Sequence, residues 1–287
     1  MKLSNLSPDR LAWLFAQPQF KHKKAQTLLR VLLWELHRIR NDAIELSFDG
    51  SRFQIDCHDG IGRLLYYFGE VDREIFAFLN GYLKPGFTVV DVGANVGIYS
   101  RFAAMRVGPD GAVYSFEPNV ELLPRLRANL SPLPVRLFPY AVSDRSGTVT
   151  FHVSDDTAKS SILADESSTH TVKVQCVTLD EFHGEPMSSA AIDYLKIDVE
   201  GFDYHVLLGA EKLFKNQMIK VAQIECTQDL REIRGFLLDN NYCLRRMLQT
   251  GALAPVLPDE SLPHNLFAHP ENFCPVVEPL PIGIATT

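Results

Sequence analysis

The sequence predicts an α/β protein with a doubly wound, mostly parallel sheet of seven strands. From Phe87 onward, short and nearly continuous apolar segments alternate with helix-like segments, which is typical of parallel strands covered by helices on both faces. The right-handed crossovers between such strands favour the doubly wound arrangement. The chain has 287 residues, of which 46% are apolar and 22% charged, so it can bury a core of this size.

The predicted strands are rich in β-branched and aromatic residues. In chain order they span residues 87–92, 111–117, 135–142, 191–199, 219–226, 241–249 and 265–270. Predicted helices begin near Gly97, Val120, Phe202 and Gln228. A β insertion is expected after the third strand, because 148–153 and 171–179 have strand-like patterns and are joined by a polar segment.

Residues 1–84 predict an N-terminal extension of helices and a β-hairpin. An Asp-Gly pair divides the alternating segment 44–57, which is a strong short-range hairpin signal. A helix is expected over 71–83, before a Lys-Pro-Gly break. We therefore expect two domains, this extension and a sheet domain at 85–287.

Residues 21–40 predict an amphipathic, basic helix. Six of them are lysine or arginine and only Glu35 is acidic. Its apolar residues recur at helical spacing: Leu28, Leu29, Leu32, Leu33, Leu36 and Ile39. We expect this stripe to pack against the main domain. Contact with an anionic membrane surface or a partner is the alternative.

Composition narrows the possible partners and compartments. The net charge of −7 gives no basic surface for phosphates, so no nucleic-acid partner is expected. The five cysteines are dispersed without a C-x-x-C pair, which favours reduced thiols over disulfides or a zinc site. We see neither a secretory signal nor an apolar run of about 18 residues. These features predict a cytoplasmic protein without a transmembrane segment.

The stretch 87–100, FTVVDVGANVGIYS, predicts a strand that runs into a glycine turn and a helix. Such a turn leaves backbone N–H groups and a positive helix end above the sheet. Gly93 and Gly97 allow a ligand to approach and the helix to close onto the strand. The spacing matches neither G-x-G-x-x-G nor G-x-x-x-x-G-K-[ST], so phosphate-binding loops of these two kinds are not predicted.

Asp91 and Glu117 stand at the carboxyl ends of adjacent predicted strands. An acid at Asp91 is unfavourable beside a pyrophosphate but suits the sulfonium and ammonium of S-adenosylmethionine. Glu117 can accept two hydrogen bonds from ribose hydroxyls. Taken singly, Asp91 could be a helix cap and Glu117 a solvent-facing strand end. Together, at a topological switch point, they favour cofactor binding.

Four motifs carry a resemblance to a known family: DVGANVG, SFEPN, AVSDRSGTVTFHV and DYLKIDVEGFDYHVLLGA. With them the chain resembles the class I S-adenosylmethionine-dependent methyltransferases, and more narrowly the FkbM family, over about two thirds of its length. The resemblance implies a Rossmann-like methyltransferase domain at 85–287 that binds S-adenosylmethionine. Residues 1–80 match only loosely.

The resemblance also implies roles for individual residues. The methionyl end would be held by Asp91, Gly93, Asn95 and Gly97, with Ala94 and Tyr99 in the same cofactor-binding set. The ribose would bind Glu117, with the adenine beside Pro118 and Asn119 and flanked by 140–144, which includes Ala141, Val142 and Asp144. Asp198 and Glu200 would stand near the transferred methyl group. Asp203 occupies a position where the family more often has glutamate, which leaves its role open.

Methyl transfer to a hydroxyl requires alignment and a base for the hydroxyl proton. Lys196, Asp198 and Glu200 alternate along a strand end, so they point the same way if the strand persists. We expect Glu200 to be the base, Asp198 to face the cofactor amine or the acceptor, and Lys196 to tune the base through its charge. The alternative is a structural ion pair between Lys196 and an acid.

Other polar residues are weaker candidates. His205 is expected to have a packing or surface role, whereas pocket lining and a buried hydrogen bond are equally open for Glu225. The polar insertion, with Ser160 and Ser161, could form a lid. No His/Cys/Asp cluster has metal-ligand spacing, so a metal-independent reaction is predicted.

The overall expectation is a methyltransferase acting on a hydroxyl of a small-molecule or glycan acceptor. The implied association of the family with sugars and secondary metabolites is the only basis for that acceptor class, because a fold does not determine a substrate. A nucleotide-binding oxidoreductase and a non-catalytic Rossmann-like binding protein are the alternatives.

Overall fold

The computed structural model describes residues 12, 14–17, 20, 24–40, 43–57, 60–154, 160–163, 168–187 and 190–277. The described residues form two compact units, with the division between Asp72 and Arg73. No helix in these ranges is long and apolar enough to cross a membrane.

The N-terminal unit includes two helices and a hairpin whose bounds the structure describes. They are α1 (Lys24–Arg40), β1 (Ile44–Phe48), β2 (Ser51–Ile55) and α2 (Gly60–Phe68). The two strands pair antiparallel, and the loop residues Asp49 and Gly50 have φ values of +50° and +73°. Positive φ at both loop positions is the geometry of a type I′ turn, which matches the twist of paired strands. The predicted hairpin is confirmed.

Helix α1 buries a different face from the one its leucines mark. The buried residues are Thr27, Val31, Trp34 and Glu35, and the Trp34 ring lies 5.4 Å and 5.7 Å from the rings of Tyr66 and Tyr67 on α2. All six residues of the predicted apolar stripe are at least 39% exposed. Within its own unit the helix therefore packs by its aromatic side and not by the predicted stripe. The expected packing of the stripe against the main domain stays a prediction.

The second unit carries the main sheet and its helices. In chain order its elements are α3 (Arg73–Tyr82), β3 (Thr88–Val92), α4 (Ile98–Val107), β4 (Ala112–Phe116), α5 (Leu123–Leu130), β5 (Val135–Phe138), β6 (Tyr140–Val142), β7 (Gly147–Ser154), β8 (Ser168–Val177), α6 (Leu179–Phe182), β9 (Tyr194–Ile197), α7 (Asp203–Leu208), α8 (Glu211–Lys215), β10 (Ala222–Glu225), α9 (Leu230–Asp239), β11 (Tyr242–Met247), β12 (Leu253–Pro255) and β13 (Asn265–Pro270).

The main sheet has eight strands in the order β12-β11-β13-β10-β9-β3-β4-β5. The five strands from β10 to β5 are parallel to one another, whereas β13, β11 and β12 join by antiparallel pairs. The predicted mostly parallel α/β fold is confirmed. One more strand is present than predicted, because the short β12 pairs with the end of β11.

The third predicted strand is two strands in the structure. Val135–Phe138 pairs with β4 in the main sheet, whereas Tyr140–Val142 pairs with β8 in a separate three-stranded sheet of order β6-β8-β7. Pro139 lies at the break, where its missing N–H cannot continue a ladder. The small sheet is the predicted β insertion. Its strand β8 begins at Ser168, whereas the sequence predicts a start at residue 171.

Helices cover both faces of the main sheet, because successive side chains of a strand point to opposite faces. Val90, Val92, Tyr114 and Phe116 join one apolar cluster with Val206, Leu207 and Leu213 of α7 and α8. A second cluster contains Ala94, Leu126 and Leu130, with Val135 and Leu137 packed against it. Asp91 and Ser115 occupy the alternate positions of the central strands, so their face is the one that receives α4.

Helix α3 belongs to the same compact unit as the main sheet. Its Phe76 ring lies 4.6 Å from the Phe102 ring of α4, and its Phe78 ring lies 5.4 Å from Phe267 on β13. The division between the units therefore precedes this helix, whereas the sequence places a boundary after it, at residue 84. The assignment of the preceding residues as a separate extension stays a prediction.

Candidate active site at the carboxyl ends of the central strands

Three polar residues form a row across the centre of the sheet. Asp91 on β3 is paired in register with Ser115 on β4 and with Lys196 on β9. The chain leaves β3 toward β4 on one side, while β9 lies on the other. This is the topological switch point of the sheet, where open α/β folds bind ligands.

Asp91 is buried and has one partly unsatisfied oxygen. Its Oδ2 accepts a hydrogen bond of 2.5 Å from Ser100 Oγ, and Ser100 Oγ lies 2.6 Å from Ser115 Oγ. Its Oδ1 has no hydrogen-bond donor among the described residues, and Lys196 Nζ lies 3.9 Å from it. Burial raises the pKa of Asp91, while Lys196 and Ser100 oppose that shift. A buried acceptor of this kind is costly unless a ligand donor reaches it.

The glycine turn uses most of its own N–H groups internally. The N–H groups of Gly93 and Ala94 both donate to Phe116 O at 3.0 Å, and that of Gly97 donates to Ala94 O at 2.8 Å. The N–H of Asn95 donates to Glu117 Oε2 at 2.8 Å. The expectation of free N–H groups is thus wrong at these four positions, because the turn closes on the neighbouring strand end. A phosphate cradle needs those donors.

The two turn glycines allow close packing, against backbone at Gly93 and against a leucine side chain at Gly97. A Cβ on Gly93, whose φ is +82°, would lie 1.8 Å from Asp198 O, and a Cβ on Gly97 would lie 2.7 Å from Leu126 Cδ1. Gly93 thus lets β3 and β9 approach at the site, and Gly97 lets α5 cover the turn. The predicted closing role of Gly97 involves α5 as well as α4.

Glu117 connects two backbone turns. Its Oε2 accepts from Asn95 N and its Oε1 from Asn119 N, both at 2.8 Å. Burial raises the pKa of Glu117 to about 7, and the two backbone donors limit the shift. An ionised carboxylate has about four acceptor positions, so each oxygen retains capacity for one ligand hydroxyl. Asn119 is buried beside Pro118 and accepts from Glu121 N at 3.1 Å.

Lys196 is a buried cation between two acids. Its Nζ lies 2.8 Å from Asp198 Oδ2 and 4.7 Å from the centre of the Tyr99 ring. Burial alone would lower the pKa of Lys196, but the charges of Asp198 and Asp91 raise it above its usual range. The lysine is therefore charged. Its ion pair with Asp198, the alternative to a role in tuning the base, is present in the structure.

The strand does not persist to Glu200. Strand β9 ends at Ile197, and Glu200 has a φ of +55° in the turn that follows. The side chain of Asp203 holds this turn, because its two oxygens accept from Val199 N at 3.2 Å and from Gly201 N at 3.1 Å. The expectation that Glu200 points the same way as Lys196 along a continuing strand is therefore wrong. The same two hydrogen bonds give Asp203 a structural role.

The turn brings Glu200 into a cluster with two other acids. One carboxylate oxygen each from Asp198, Glu200 and Glu225 lies within 4.8 Å of the others. Sequence spacing did not reveal this group, because Glu225 lies on the next parallel strand and only the order of strands places it beside Asp198. Its position at a strand end is the signal that could have found it.

Glu225 holds a proton at neutral pH. Burial, together with the charges of Asp198, Glu200 and Asp203, raises the pKa of Glu225 to about 9. Its Oε1 lies 3.1 Å from His264 Nε2, and its buried Oε2 has no donor among the described residues. In its protonated form Glu225 can donate a hydrogen bond to the carboxylate of Asp198.

The β insertion supports the same turn. Ser161 Oγ donates to the carbonyl oxygens of Glu200 and Val199, at 3.0 Å and 3.2 Å. Ser161 also bridges by backbone hydrogen bonds to His152 on β7. The described part of the insertion thus contacts the backbone of Glu200, the candidate base, through the side chain of Ser161. The predicted lid role of the remaining residues lies outside the described ranges.

The predicted adenine-flanking segment is shaped by the small sheet. Ala141, Val142 and Ser143 are buried, and a Cβ on Gly209 would lie 1.9 Å from Ser143 O. Asp144 accepts from Ser143 Oγ at 2.8 Å and lies 3.6 Å from His205 Nδ1. Although partial burial opposes it, these neighbours and Arg145 lower the pKa of Asp144. His205 stacks on Phe202, which agrees with the packing role expected for it.

Comparisons with known proteins show the family to which this chain belongs. Residues 91–244 match the methyltransferase FkbM domain. The 2-O-methyltransferase NoeI of Sinorhizobium fredii is 31% identical over 168 residues, which cover 52% of this chain and 67% of that protein. The AMB antimetabolite synthetase AmbE of Pseudomonas aeruginosa is 27% identical over 229 residues, 63% of this chain but 10% of that protein.

Solved methyltransferase structures are similar at lower identity. An S-adenosylmethionine-dependent O-methyltransferase of Thermotoga maritima has 16% identity and a TM-score of 0.39, covering 83% of this chain and 80% of that chain. The precorrin-6y C5,15-methyltransferase of Geobacter metallireducens has the same identity and TM-score, covering 68% and 87%. The family match covers more than half of the chain and includes the switch-point residues described above. This chain therefore belongs to the FkbM methyltransferase family and is an enzyme of the methyltransferase class.

Proposed function

We propose that this methyltransferase transfers the methyl group of S-adenosylmethionine to a hydroxyl oxygen of a sugar-like acceptor. The observation that carries the proposal is the buried, unsatisfied Asp91 Oδ1 at the switch point of a methyltransferase-family fold. The proposed residues are those expected from the sequence: Asp91, Glu117 and Asp198 for the cofactor, with Glu200 as the base.

The charge of the site suits a cationic cofactor. Asp91 and Asp198 lie beside the cation Lys196, and Glu117 and Glu200 add further carboxyl groups to the described part of the site. Asp91 Oδ1 and Asn95 Oδ1 are both buried acceptors without a donor. An ammonium group supplies donors and positive charge for such acceptors. When bound, S-adenosylmethionine supplies a methyl group activated by its sulfonium.

The residues of the chain align the reactants and take the proton. The bound cofactor would supply the methyl group for an in-line displacement by the hydroxyl oxygen and would leave as S-adenosylhomocysteine. Glu200 accepts the hydroxyl proton. Lys196 holds Asp198 in place through their 2.8 Å contact. Because Glu225 already holds a proton at neutral pH, it is less suited than Glu200 to accept another.

The acceptor class rests on the family and on one relative. NoeI is by name a 2-O-methyltransferase, which supports oxygen as the methylated atom. A secondary hydroxyl of a sugar, or its equivalent in a small metabolite, is the acceptor we propose. A nucleotide-binding oxidoreductase is disfavoured by the acids of the site and by the internal use of the turn N–H groups.

Calorimetric titration with S-adenosylmethionine and S-adenosylhomocysteine tests the cofactor. We expect micromolar binding of both, no binding of NADH, and a loss of about 10- to 100-fold in affinity for Asp91→Asn, since a charge-assisted contact is removed. Glu121→Gln, a surface acid paired with His170, is the matched control and should bind as wild type. Failure of the folded protein to bind either compound contradicts the cofactor assignment.

Methyl transfer to a panel of sugars with free secondary hydroxyls tests the chemistry. Glu200→Gln should abolish turnover while leaving S-adenosylmethionine affinity unchanged, because only proton transfer is lost. Glu260→Gln, a surface acid bonded to Arg246, should retain wild-type turnover. Unchanged turnover of Glu200→Gln would discard the base assignment without affecting the cofactor assignment.

A further inference from the structure

Helix α1 exposes a continuous apolar face. Its six stripe residues are 39% to 57% exposed: Leu28, Leu29, Leu32, Leu33, Leu36 and Ile39. At 100° per residue they cover an arc of about 140°, and Arg40 at the last turn is the only charged residue within it. Soluble proteins rarely expose contiguous apolar patches of this kind unless the patch binds something.

The helix is anchored by its opposite side, so the apolar face has a defined orientation within its unit. Val31, Trp34 and Glu35 are buried, and Trp34 packs edge-on and tilted against Tyr67 and Tyr66. A helix of 17 residues is about 25 Å long. It therefore presents a stripe of substantial length without unfolding the unit that carries it.

The charges beside the stripe are positive. Lys24, Arg30, Arg38 and Arg40 lie on this helix, and its acid, Glu35, is buried and bonded to Arg38 at 3.1 Å. No acid is exposed on Lys24–Arg40. Two more lysines of the basic segment lie outside the described residues. Apolar side chains flanked only by basic ones match a surface that is both apolar and anionic.

We propose that helix α1 docks the protein on an anionic lipid surface, lying in the plane of the interface with its leucine stripe in the acyl region. The lipid headgroups would pair with the basic side chains that flank the stripe. A second copy of the chain fits less well, because two helices that each carry unopposed positive charge would repel when their stripes meet.

Flotation of the full-length protein with vesicles tests the proposal. Vesicles of phosphatidylglycerol and phosphatidylcholine in equal parts should carry the protein, whereas pure phosphatidylcholine vesicles should carry at least tenfold less. Leu29→Asp and Leu36→Asp should each abolish flotation. Leu257→Asp and Leu238→Asp are matched controls, because those leucines of the second unit are 57% and 51% exposed, and they should float as wild type.

A second experiment tests whether the basic residues are needed for binding. Each basic residue near an anionic surface contributes about fivefold in affinity, so Lys24→Gln with Arg30→Gln should lower vesicle affinity by about 25-fold. Melting curves by circular dichroism establish that each variant is folded.

Three outcomes would overturn the proposal. Equal binding to neutral and anionic vesicles would contradict the requirement for an anionic surface. A dimer in analytical ultracentrifugation that Leu29→Asp dissociates, without vesicle binding, would assign the stripe to a second copy. A monomer without vesicle binding would exclude the lipid surface as the binding partner of the stripe.

Discussion

The carbonyl oxygen of Asp198 lies 1.8 Å from the position that a Cβ on Gly93 would occupy. The glycine turn after β3 and the acidic turn after β9 are therefore in direct backbone contact. Because Asp91 precedes one turn and Glu200 follows in the other, their spacing depends on this approach. The site tolerates no side chain at residue 93.

Gly93→Ala should therefore destabilise the protein severely. The clash with Asp198 O adds to the cost of a positive φ, so we expect a loss of about 3 kcal/mol or more in the free energy of unfolding. Gly86→Ala is the matched control, since Gly86 has a φ of +86° and a Cβ there would meet no atom within 4 Å beyond its chain neighbours. That variant should lose only about 1–2 kcal/mol. Equal losses in urea denaturation would contradict a special role for the Gly93 contact.

Removing the ammonium of Lys196 should also be costly. Lys196→Met leaves the buried Asp91 and the partly exposed Asp198 without their shared cation, so we expect a loss of about 3–5 kcal/mol. Lys220→Met removes a similar contact, because Lys220 Nζ lies 2.7 Å from Asp193, but that lysine side chain is 40% exposed. There the loss should be about 1 kcal/mol or less. The two variants are compared by urea denaturation at pH 7, and similar losses would show that burial does not strengthen the Lys196 contact.

The raised pKa of Glu225 predicts a pH dependence of stability. The folded state holds this proton up to about pH 9, whereas the unfolded chain releases it near pH 4.5, so the stabilisation is complete below pH 4.5 and declines as pH rises toward 9. Glu225→Gln cannot titrate. Between pH 6 and 8 it should remove a slope of up to about 1.4 kcal/mol per pH unit.

The measurement is the free energy of unfolding of wild type and variant at four pH values in that window. Glu260→Gln is the control and should follow the wild-type curve. Glu117 and Asp203 also have pKa values raised to about 7 by burial, so some decline should persist in Glu225→Gln. Parallel curves for wild type and Glu225→Gln would contradict a protonated Glu225.

The insertion should affect catalysis through Ser161. Ser161→Ala removes the hydroxyl that donates to Glu200 O and Val199 O, so we expect about 1 kcal/mol less stability and about tenfold lower kcat with little change in KM for the cofactor. Ser160→Ala is the neighbouring control, because Ser160 Oγ accepts a local bond from Ser154 N within the insertion. Equal kcat for both variants would show that the insertion does not position the turn.

Local patterns in the sequence determined the alternation of strands and helices, the Asp-Gly hairpin and the acids at strand ends. These features depend on side-chain periodicity and on turn chemistry, which act over a few neighbouring residues. The same local information placed Asp91, Glu117 and Asp198 at the edge where the site lies.

Only the tertiary structure decided what these residues contact. The order of parallel strands brought Glu225 to Asp198 and Glu200, and the closing of one turn on its neighbour consumed the N–H groups of the glycine loop. Helical periodicity showed that six apolar residues of α1 share a face, but the aromatic contacts of Trp34 decided that the helix packs within its unit by the opposite side. The periodicity of apolar residues predicts which side chains share a face of a helix or strand. Whether that face is buried depends on contacts with residues that are distant in the chain.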